Sequence, residues 1–177
     1  MDVTFTTANP CIGDESAFLR KEDLCGSLQT LACAKASSVA EENVTALVLG
    51  ADTIVALGSS VLGKPQNESD ARSMLTALSG KTHVVYTGVA LVCKESGFVY
   101  SEYAATTVTF RSLAKEEIES YLACSEWIDK AGAYAIQGNA LVFVDRIDGC
   151  YYNVVGLPIS ATIRCFTEYT LRKDAQA

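Results

Sequence analysis

Helical and extended patterns of apolar residues alternate along this chain of 177 residues. The clearest helical pattern places Ala71, Leu75 and Leu78 on one face, and Gly80 follows where helices often end. Shorter stretches of the same periodicity predict three further helices, over about 26–41, over 115–124 and after Pro158.

Runs rich in Val, Thr and Tyr predict the strands. They cover 3–6, 46–49, a second piece starting at 54, 61–62, 81–92, 103–110, 141–144 and 151–155. The run 46–49 is continuously apolar, as in a strand buried on both faces, and Gly50 is expected to weaken or bend it. Because helices and strands alternate, the predicted class is α/β, with a mixed β-sheet and flanking helices.

Composition narrows the class of protein. The chain is 49% hydrophobic and 20% charged, which argues against disorder. Its net charge of −7 makes nucleic acid and anionic membranes poor partners, because both attract a basic face. No apolar run approaches the roughly 18 residues of a membrane span, and no secretory signal is recognised.

Cysteine and histidine content limits the chemistry further. The seven cysteines form no CxxC motif, so we expect reduced thiols and a cytoplasmic location. The single histidine, His83, excludes a site with several histidine ligands, and we expect it to be a structural residue with its hydrogen bonds satisfied.

Three polar residues near turns could carry chemistry. Asp52 follows an apolar run and is expected at the carboxyl end of a strand, where α/β sheets place ligand crevices. Lys64, between glycine and proline, could present a fixed ammonium to phosphate, and Gln137 could hydrogen-bond to a base. A turn aspartate, a surface lysine and a turn glutamine are the ordinary alternatives, and the residues alone leave both interpretations open.

Several short motifs occur in a fixed order along the chain, and this order identifies a protein family more specifically than any single motif does. They are GADT at 50–53, LGKP at 62–65, LSGKTH at 78–83, YTGVA at 86–90, DKAGAY at 129–134, IQG at 136–138 and VGLP at 155–158. Upstream, DES at 14–16 and LACAKA at 31–36 extend the series. Together the motifs resemble the Maf family of septum-formation-inhibitor homologues, over about Val3 to Phe166.

The resemblance implies a single domain over 1–177 with an ITPase-like α/β fold, in which two lobes flank a cleft. It implies a hydrolase that converts a nucleoside triphosphate to the monophosphate and pyrophosphate with a divalent cation, Mg²⁺ or Mn²⁺. The ADT and IQG motifs are similar to those of the dTTP/UTP subgroup, whereas the 7-methyl-GTP subgroup carries Asp-Gln and Ser-Glu-Gly. The partner implied is the nucleotide substrate, with no nucleic acid or membrane, and a homodimer is one option.

Site residues follow from the same resemblance. Asp52 matches the proton acceptor, and Thr53 and Gln137 match positions that set base specificity. Glu15, Lys35 and Lys64 match the other charged positions of the cleft, and Glu15 and Asp52 supply oxygen ligands suited to Mg²⁺. Since cytosine lacks the acceptor–donor pattern that a glutamine amide pairs with on uracil, UTP and dTTP are expected over CTP.

One family feature has no counterpart in the sequence. No Ser-x-Ser-x-Arg-Arg turn, which contacts the phosphates in the family, occurs, and we expect the N-terminal strand that carries it to be missing as well. A misassigned start codon and a truncated protein both fit, and truncation would weaken activity and stability. The alternative functions are therefore a catalytically weakened nucleotide-binding protein in cell-division control and a structural paralogue without a ligand.

Overall fold

The computed structural model describes residues 4–175 and forms a five-stranded sheet flanked by helices. The strands are β1 Val48–Leu57, β2 Ser60–Leu62, β3 Thr82–Cys93, β4 Phe98–Phe110 and β5 Val144–Asp148. The α-helices are α1 Leu24–Ala40, α2 Glu68–Leu78, α3 Lys115–Ala123, α4 Tyr151–Val155 and α5 Ile159–Asp174. Short 3₁₀ helices cover Glu15–Phe18, Ala131–Ala133 and Asn139–Phe143.

The sheet has the strand order β2-β1-β3-β4-β5. The α/β class is confirmed, and every strand pairing among residues 4–175 is antiparallel, where a mixed sheet was expected. The short strand β2 pairs only with residues 55–57 of β1. In the described part of the chain, residues 48–54 of β1 therefore lie at an edge of the sheet.

Helices cover both faces of the sheet. One face packs on α1, where Gly50 and Gly88 allow close approach because a Cβ there would lie 2.5 Å from the Ala32 oxygen and 2.4 Å from the Leu28 oxygen. The other face packs on α2 and α3 through Val55, and through further buried side chains of the same cluster, Val85, Val108 and Phe110. Towards the opposite end of this second face, α5 covers Val89 and Leu91. The core is thus divided by the sheet.

Most predicted elements are confirmed, α1 to α3, α5 and the β1–β2 hairpin among them. Asn67 caps α2, and its side chain accepts a hydrogen bond from Asp70 N at 2.9 Å. Gly50 lies inside one continuous strand rather than between two pieces, because antiparallel pairing with β3 runs from Val48 to Ala56 without a break.

Three predicted strands are wrong. Residues 4–10 are exposed and form no strand, since nothing in the described residues pairs with them, and Val3 lies outside those residues. Residues 139–143 form a 3₁₀ helix that precedes β5. The sequence Tyr151–Val155 is the helix α4, which ends at Gly156 with a φ of +116°. Within residues 4–175, no helix is long and apolar enough to cross a membrane.

Candidate active site

A cleft of about 600 Å³ lies beside the open edge of β1. Alternation along the strand sends neighbouring side chains to opposite faces of the sheet. Asp52 is paired with Gly88 and faces α1, whereas Thr53 is paired with Thr87 and faces α4. Because β1 lies at the sheet edge here, both side chains line the same cleft.

An ammonium group joins two carboxylates at one side of the cleft. Lys35 of α1 lies 2.5 Å from Asp52 Oδ1 and 2.9 Å from Glu15 Oε1. The Lys35 and Asp52 side chains are only 12% and 13% exposed, whereas the Glu15 side chain is 43% exposed. Asp52 Oδ2 has no hydrogen-bond partner among the described residues, so this oxygen is available to a ligand.

Burial and charge act against each other in this cluster. Burial raises the pKa of the Asp52 carboxyl, and the hydrogen bond and charge of Lys35 oppose that rise. Burial lowers the pKa of Lys35, but the hydrogen bonds and charges of Asp52 and Glu15 outweigh this, so its pKa lies above the ordinary value. Lys35 therefore stays charged at neutral pH, and Asp52 is a stronger proton acceptor than an exposed aspartate.

Thr53 is tied into a buried polar network on the other face. Its Oγ1 lies 2.8 Å from Oγ1 of Thr87, which in turn lies 3.3 Å from the main-chain oxygen of Asn153. The Asn153 side chain is fully buried and donates to Val85 O at 2.9 Å and to Thr106 Oγ1 at 3.0 Å. Its Oδ1 has no partner. This network attaches α4 to the sheet.

Gln137 also lines the cleft, in a segment that neighbouring side chains hold in place. Ala135 N donates to Tyr121 Oη at 3.0 Å. After Gln137, the Glu126 carboxylate accepts 2.7 Å hydrogen bonds from Asn139 N and Nδ2. A Cβ at Gly138 would lie 2.1 Å from that carboxylate, so a larger residue there would displace the Glu126 side chain from its hydrogen bonds to Asn139. Gln137 itself is exposed towards the cleft.

Two further lysines line the cleft, Lys64 and Lys130. Lys64 is exposed, forms no ion pair among the described residues, and lies close enough for its charge to lower the pKa of Asp52. The loop that carries Lys64 contacts the 3₁₀ helix at Ala131–Ala133, where Gly132 N donates to Gly63 O at 3.0 Å. The cleft is thus lined by three lysines and by three carboxylates, those of Asp52, Glu126 and Asp129, within a protein of net charge −7.

The structure brings five of the predicted residues to the wall of the cleft, and Glu15 touches one of them, Lys35. The position predicted for Asp52 is wrong in one respect: it lies in the middle of β1, not at the end of a strand. The cleft forms there because β2 leaves that part of β1 uncovered.

Sequence reasoning did not single out Thr87, Asn153 or Glu126. Asn153 interrupts the apolar run at 151–155, and a lone amide in such a run is a signal that could have indicated a buried anchor. His83 is buried, and its Nε2 lies 2.9 Å from Tyr134 Oη, but its Nδ1 has no partner. The expectation that all its hydrogen bonds are satisfied is therefore wrong for one nitrogen.

Comparison of the sequence with those of known proteins shows which family the chain belongs to. The model of the Maf-like protein family matches residues 2–169. The chain is 51% identical over 144 residues to a "dTTP/UTP pyrophosphatase" from Bacillus cereus (strain AH820), and the match covers 81% of this chain and 74% of the relative. The same identity and coverage relate it to a protein of that name from Bacillus thuringiensis subsp. konkukian (strain 97-27). Because the family model matches almost the whole chain, and about half of the 144 aligned residues are identical in these relatives, the chain belongs to the Maf family.

Proposed function

We propose that the protein is a dTTP/UTP pyrophosphatase that hydrolyses its substrate to the nucleoside monophosphate and pyrophosphate. The name borne by relatives at 51% identity supports this assignment. The observation that carries it is the Lys35 ammonium bridging Asp52 and Glu15 in the same cleft as Thr53 and Gln137. Groups for phosphate chemistry and groups for base recognition thus line one cavity.

Asp52 is proposed to act as the general base. A water molecule attacks phosphorus at the α–β anhydride, the bond to the bridging oxygen breaks, and pyrophosphate leaves. Oδ2 of Asp52 accepts the proton of that water, while Lys35 holds Oδ1 and so fixes the plane of the carboxylate. The raised pKa of Asp52 makes its carboxylate a better proton acceptor at neutral pH.

Positive charge in the cleft offsets the charge of the triphosphate. Lys64 is free of ion pairs within the described residues, so its ammonium can bind phosphate oxygens directly. Lys35 is already neutralised by two carboxylates and contributes mainly by orienting them. Thr53 and Gln137 are proposed to contact the base.

A divalent cation, Mg²⁺ or Mn²⁺, is part of the proposal. No group of three or more His, Cys, Asp or Glu side chains suited to a metal occurs in residues 4–175. Glu15 and Asp52 nevertheless fit Mg²⁺, which proteins commonly hold with one or two carboxylates plus substrate phosphates. When bound through Glu15 and the Oδ1 side of Asp52, which leaves Asp52 Oδ2 free for the proton of the water, the cation would supply charge that stabilises the leaving pyrophosphate.

The substitution Asp52→Asn tests the assignment. The amide keeps the shape of the side chain but cannot accept a proton at neutral pH, so pyrophosphate release from UTP with Mg²⁺ should fall by about 100-fold or more. Asp145→Asn, on the exposed strand β5, is the control that changes charge equally and should keep wild-type turnover. Both variants should retain the circular dichroism spectrum of the parent.

Comparable turnover by Asp52→Asn would remove Asp52 from the role of base. Binding of UTP without pyrophosphate release by the unaltered protein would favour the alternative, a nucleotide-binding protein in cell-division control. A cytosolic location is also proposed, on the ground that all seven cysteines are free thiols. The homodimer stays a prediction.

A further inference from the structure

Two threonine hydroxyls and one carbonyl form a short chain that ends in the cleft. Thr53 Oγ1 and Thr87 Oγ1 are 2.8 Å apart, and Thr87 Oγ1 is 3.3 Å from Asn153 O. Thr87 is fully buried, whereas Thr53 is partly exposed and lines the cleft. The buried end of the chain therefore meets protein only, and the other end meets the ligand.

Counting protons fixes the direction of these hydrogen bonds. A carbonyl oxygen can only accept, so Thr87 must donate its one proton for the contact with Asn153 O to be a hydrogen bond. Thr87 then has no proton left for Thr53, and the 2.8 Å contact is a hydrogen bond only if Thr53 donates. In this arrangement the proton of Thr53 points into the protein, and its lone pair faces the cleft.

The acceptor at the buried end is held firmly. Asn153 O also accepts from Gly156 N at 3.0 Å, which uses its second lone pair. The Asn153 side chain is anchored by its donations to Val85 O and Thr106 Oγ1. Only the direction from Thr53 to Thr87 to Asn153 O makes both contacts hydrogen bonds. If Thr87 donated to Thr53 instead, the hydrogen bond to Asn153 O would be lost, at a cost of about 0.5–1.5 kcal/mol.

We propose that Thr87 is a positioning residue that holds the Thr53 hydroxyl as a hydrogen-bond acceptor, so that the cleft selects a pyrimidine bearing a ring N–H. Uracil and thymine carry one proton on N3, and in this arrangement Thr53 accepts it, whereas the Gln137 amide donates to a ring carbonyl and does not also pair with N3 as expected from the sequence. Cytosine has a bare N3 and would place two lone pairs against each other. This inference rests on the proposed function, since it assigns the base side of the same cleft.

The experiment compares uracil with cytosine nucleotides in matched variants. Thr87→Val keeps the shape and removes the hydroxyl, so Thr53 becomes free to turn its proton towards the ligand. The ratio of kcat/KM for UTP to that for CTP should fall by about tenfold, because one hydrogen-bond preference is lost. The ratio of the Kd for CMP to that for UMP should fall by the same factor. Thr87→Ser restores the hydroxyl and should keep the wild-type ratios.

We call the chain of hydrogen bonds from Thr53 through Thr87 to Asn153 O the relay. Two controls distinguish its effect from a general effect on packing. Thr53→Val should lower the ratios by itself, and adding Thr87→Val to it should change them no further, because Thr87 acts through Thr53. Thr109→Val removes a hydroxyl from the exposed Thr82–Thr109 pair on the same sheet, 2.9 Å apart, and should leave the ratios unchanged. With the wild-type protein, UTP methylated at N3 should be disfavoured as strongly as CTP, a result that needs no variant to fold.

The outcomes distinguish this inference from the proposed function. Turnover of UTP with the same UTP-to-CTP ratio in wild type and Thr87→Val would overturn the relay and leave the function standing. Absence of turnover, with a UMP preference that Thr87→Val abolishes, would overturn the function and leave the relay standing. An unchanged ratio in Thr53→Val, or ready turnover of N3-methyl-UTP, would also overturn the relay.

Discussion

A buried histidine, His83, lies behind Tyr134 of the cleft wall and forms no hydrogen bond with Asp52, Lys35 or the other candidate site residues described above. His83 is 1% exposed, its ring meets Phe110 and Tyr134 edge-to-face, and its Nε2 shares a hydrogen bond with Tyr134 Oη. Nδ1 has no partner. Burial lowers the pKa of His83 from 6.5 to about 4, because protonation would place a charge and an unpaired donor in the core.

This histidine should make folding stability depend on pH. In the unfolded chain His83 binds its proton near pH 6.5, and in the folded protein only near pH 4. Its contribution is therefore complete above about pH 6.5 and declines as pH falls towards 4, by a total on the order of 3 kcal/mol. Urea unfolding of the wild type and of His83→Gln measures the free energy of unfolding at each pH between 4 and 7. The free energy of the wild type should fall more steeply with falling pH than that of the variant, and equal pH dependences would contradict the prediction.

The sequence identified some residues of the candidate site and missed others. Asp52 and Lys64 were candidates from their positions near turns, and the family resemblance gave them roles, whereas Lys35 was named from the resemblance alone. The structure adds that Lys35 bridges two carboxylates. Thr87 was not identified, because a threonine in a Val- and Thr-rich strand is ordinary by pattern. Its importance comes from the register that places it opposite Thr53, which a single sequence does not reveal.

The contact of α1 with the sheet sets the position of Lys35 relative to Asp52. Lys35 is on this helix, and Asp52 lies on the strand beneath it. The helix backbone approaches the sheet at Gly50 and Gly88, where no side chain separates them. The distance between the ammonium and the carboxylate therefore depends on two residues without a Cβ.

Gly88→Ala should disturb both stability and activity. The new methyl group would lie 2.4 Å from Leu28 O, and since backbone atoms cannot yield locally, α1 must move as a unit. We expect the free energy of unfolding to fall by about 1–3 kcal/mol, as for other overpacked sites, together with a loss of kcat. Gly63→Ala is the control, because nothing lies within 4 Å of its Cβ position, and its stability should change by less than about 0.5 kcal/mol. Equal stability of the two variants by urea unfolding would contradict the expected packing effect.

Elements with a strong local pattern were predicted, and α4 was not. In α2 the apolar spacing and the Asn67 cap agree, so local sequence suffices. The sequence Tyr151–Val155 favours a strand by composition, yet it forms a helix because Asn153 is bound to two strands and Gly156 ends the turn with a positive φ. Tertiary hydrogen bonds overcome local propensity there, and those bonds exist only in the folded protein.

The net charge of the whole molecule opposes the binding of a nucleoside triphosphate. The net charge is −7, and a nucleoside triphosphate is itself a polyanion. Lys64 and Lys130 oppose this field locally at the cleft. Because charges interact over about 10 Å at 0.1 M salt, the distant acidic residues are largely screened under those conditions, whereas lysines at the cleft act at close range on any ligand bound in it.

Lys64→Ala should therefore raise the KM for UTP by an amount that depends on ionic strength. Loss of one exposed charge near the phosphates is worth about 1 kcal/mol, or about fivefold in KM at low salt, and the ratio of variant to wild type should shrink as salt is added. Lys81→Ala is the matched control, since this exposed lysine lies outside the cleft and its removal changes the net charge by the same unit. If KM rose equally in both variants, the long-range field of the protein, and not a contact of Lys64, would account for the effect. A rise confined to Lys64→Ala that declines with salt would show that an acidic protein binds a polyanion through charges held at its cleft.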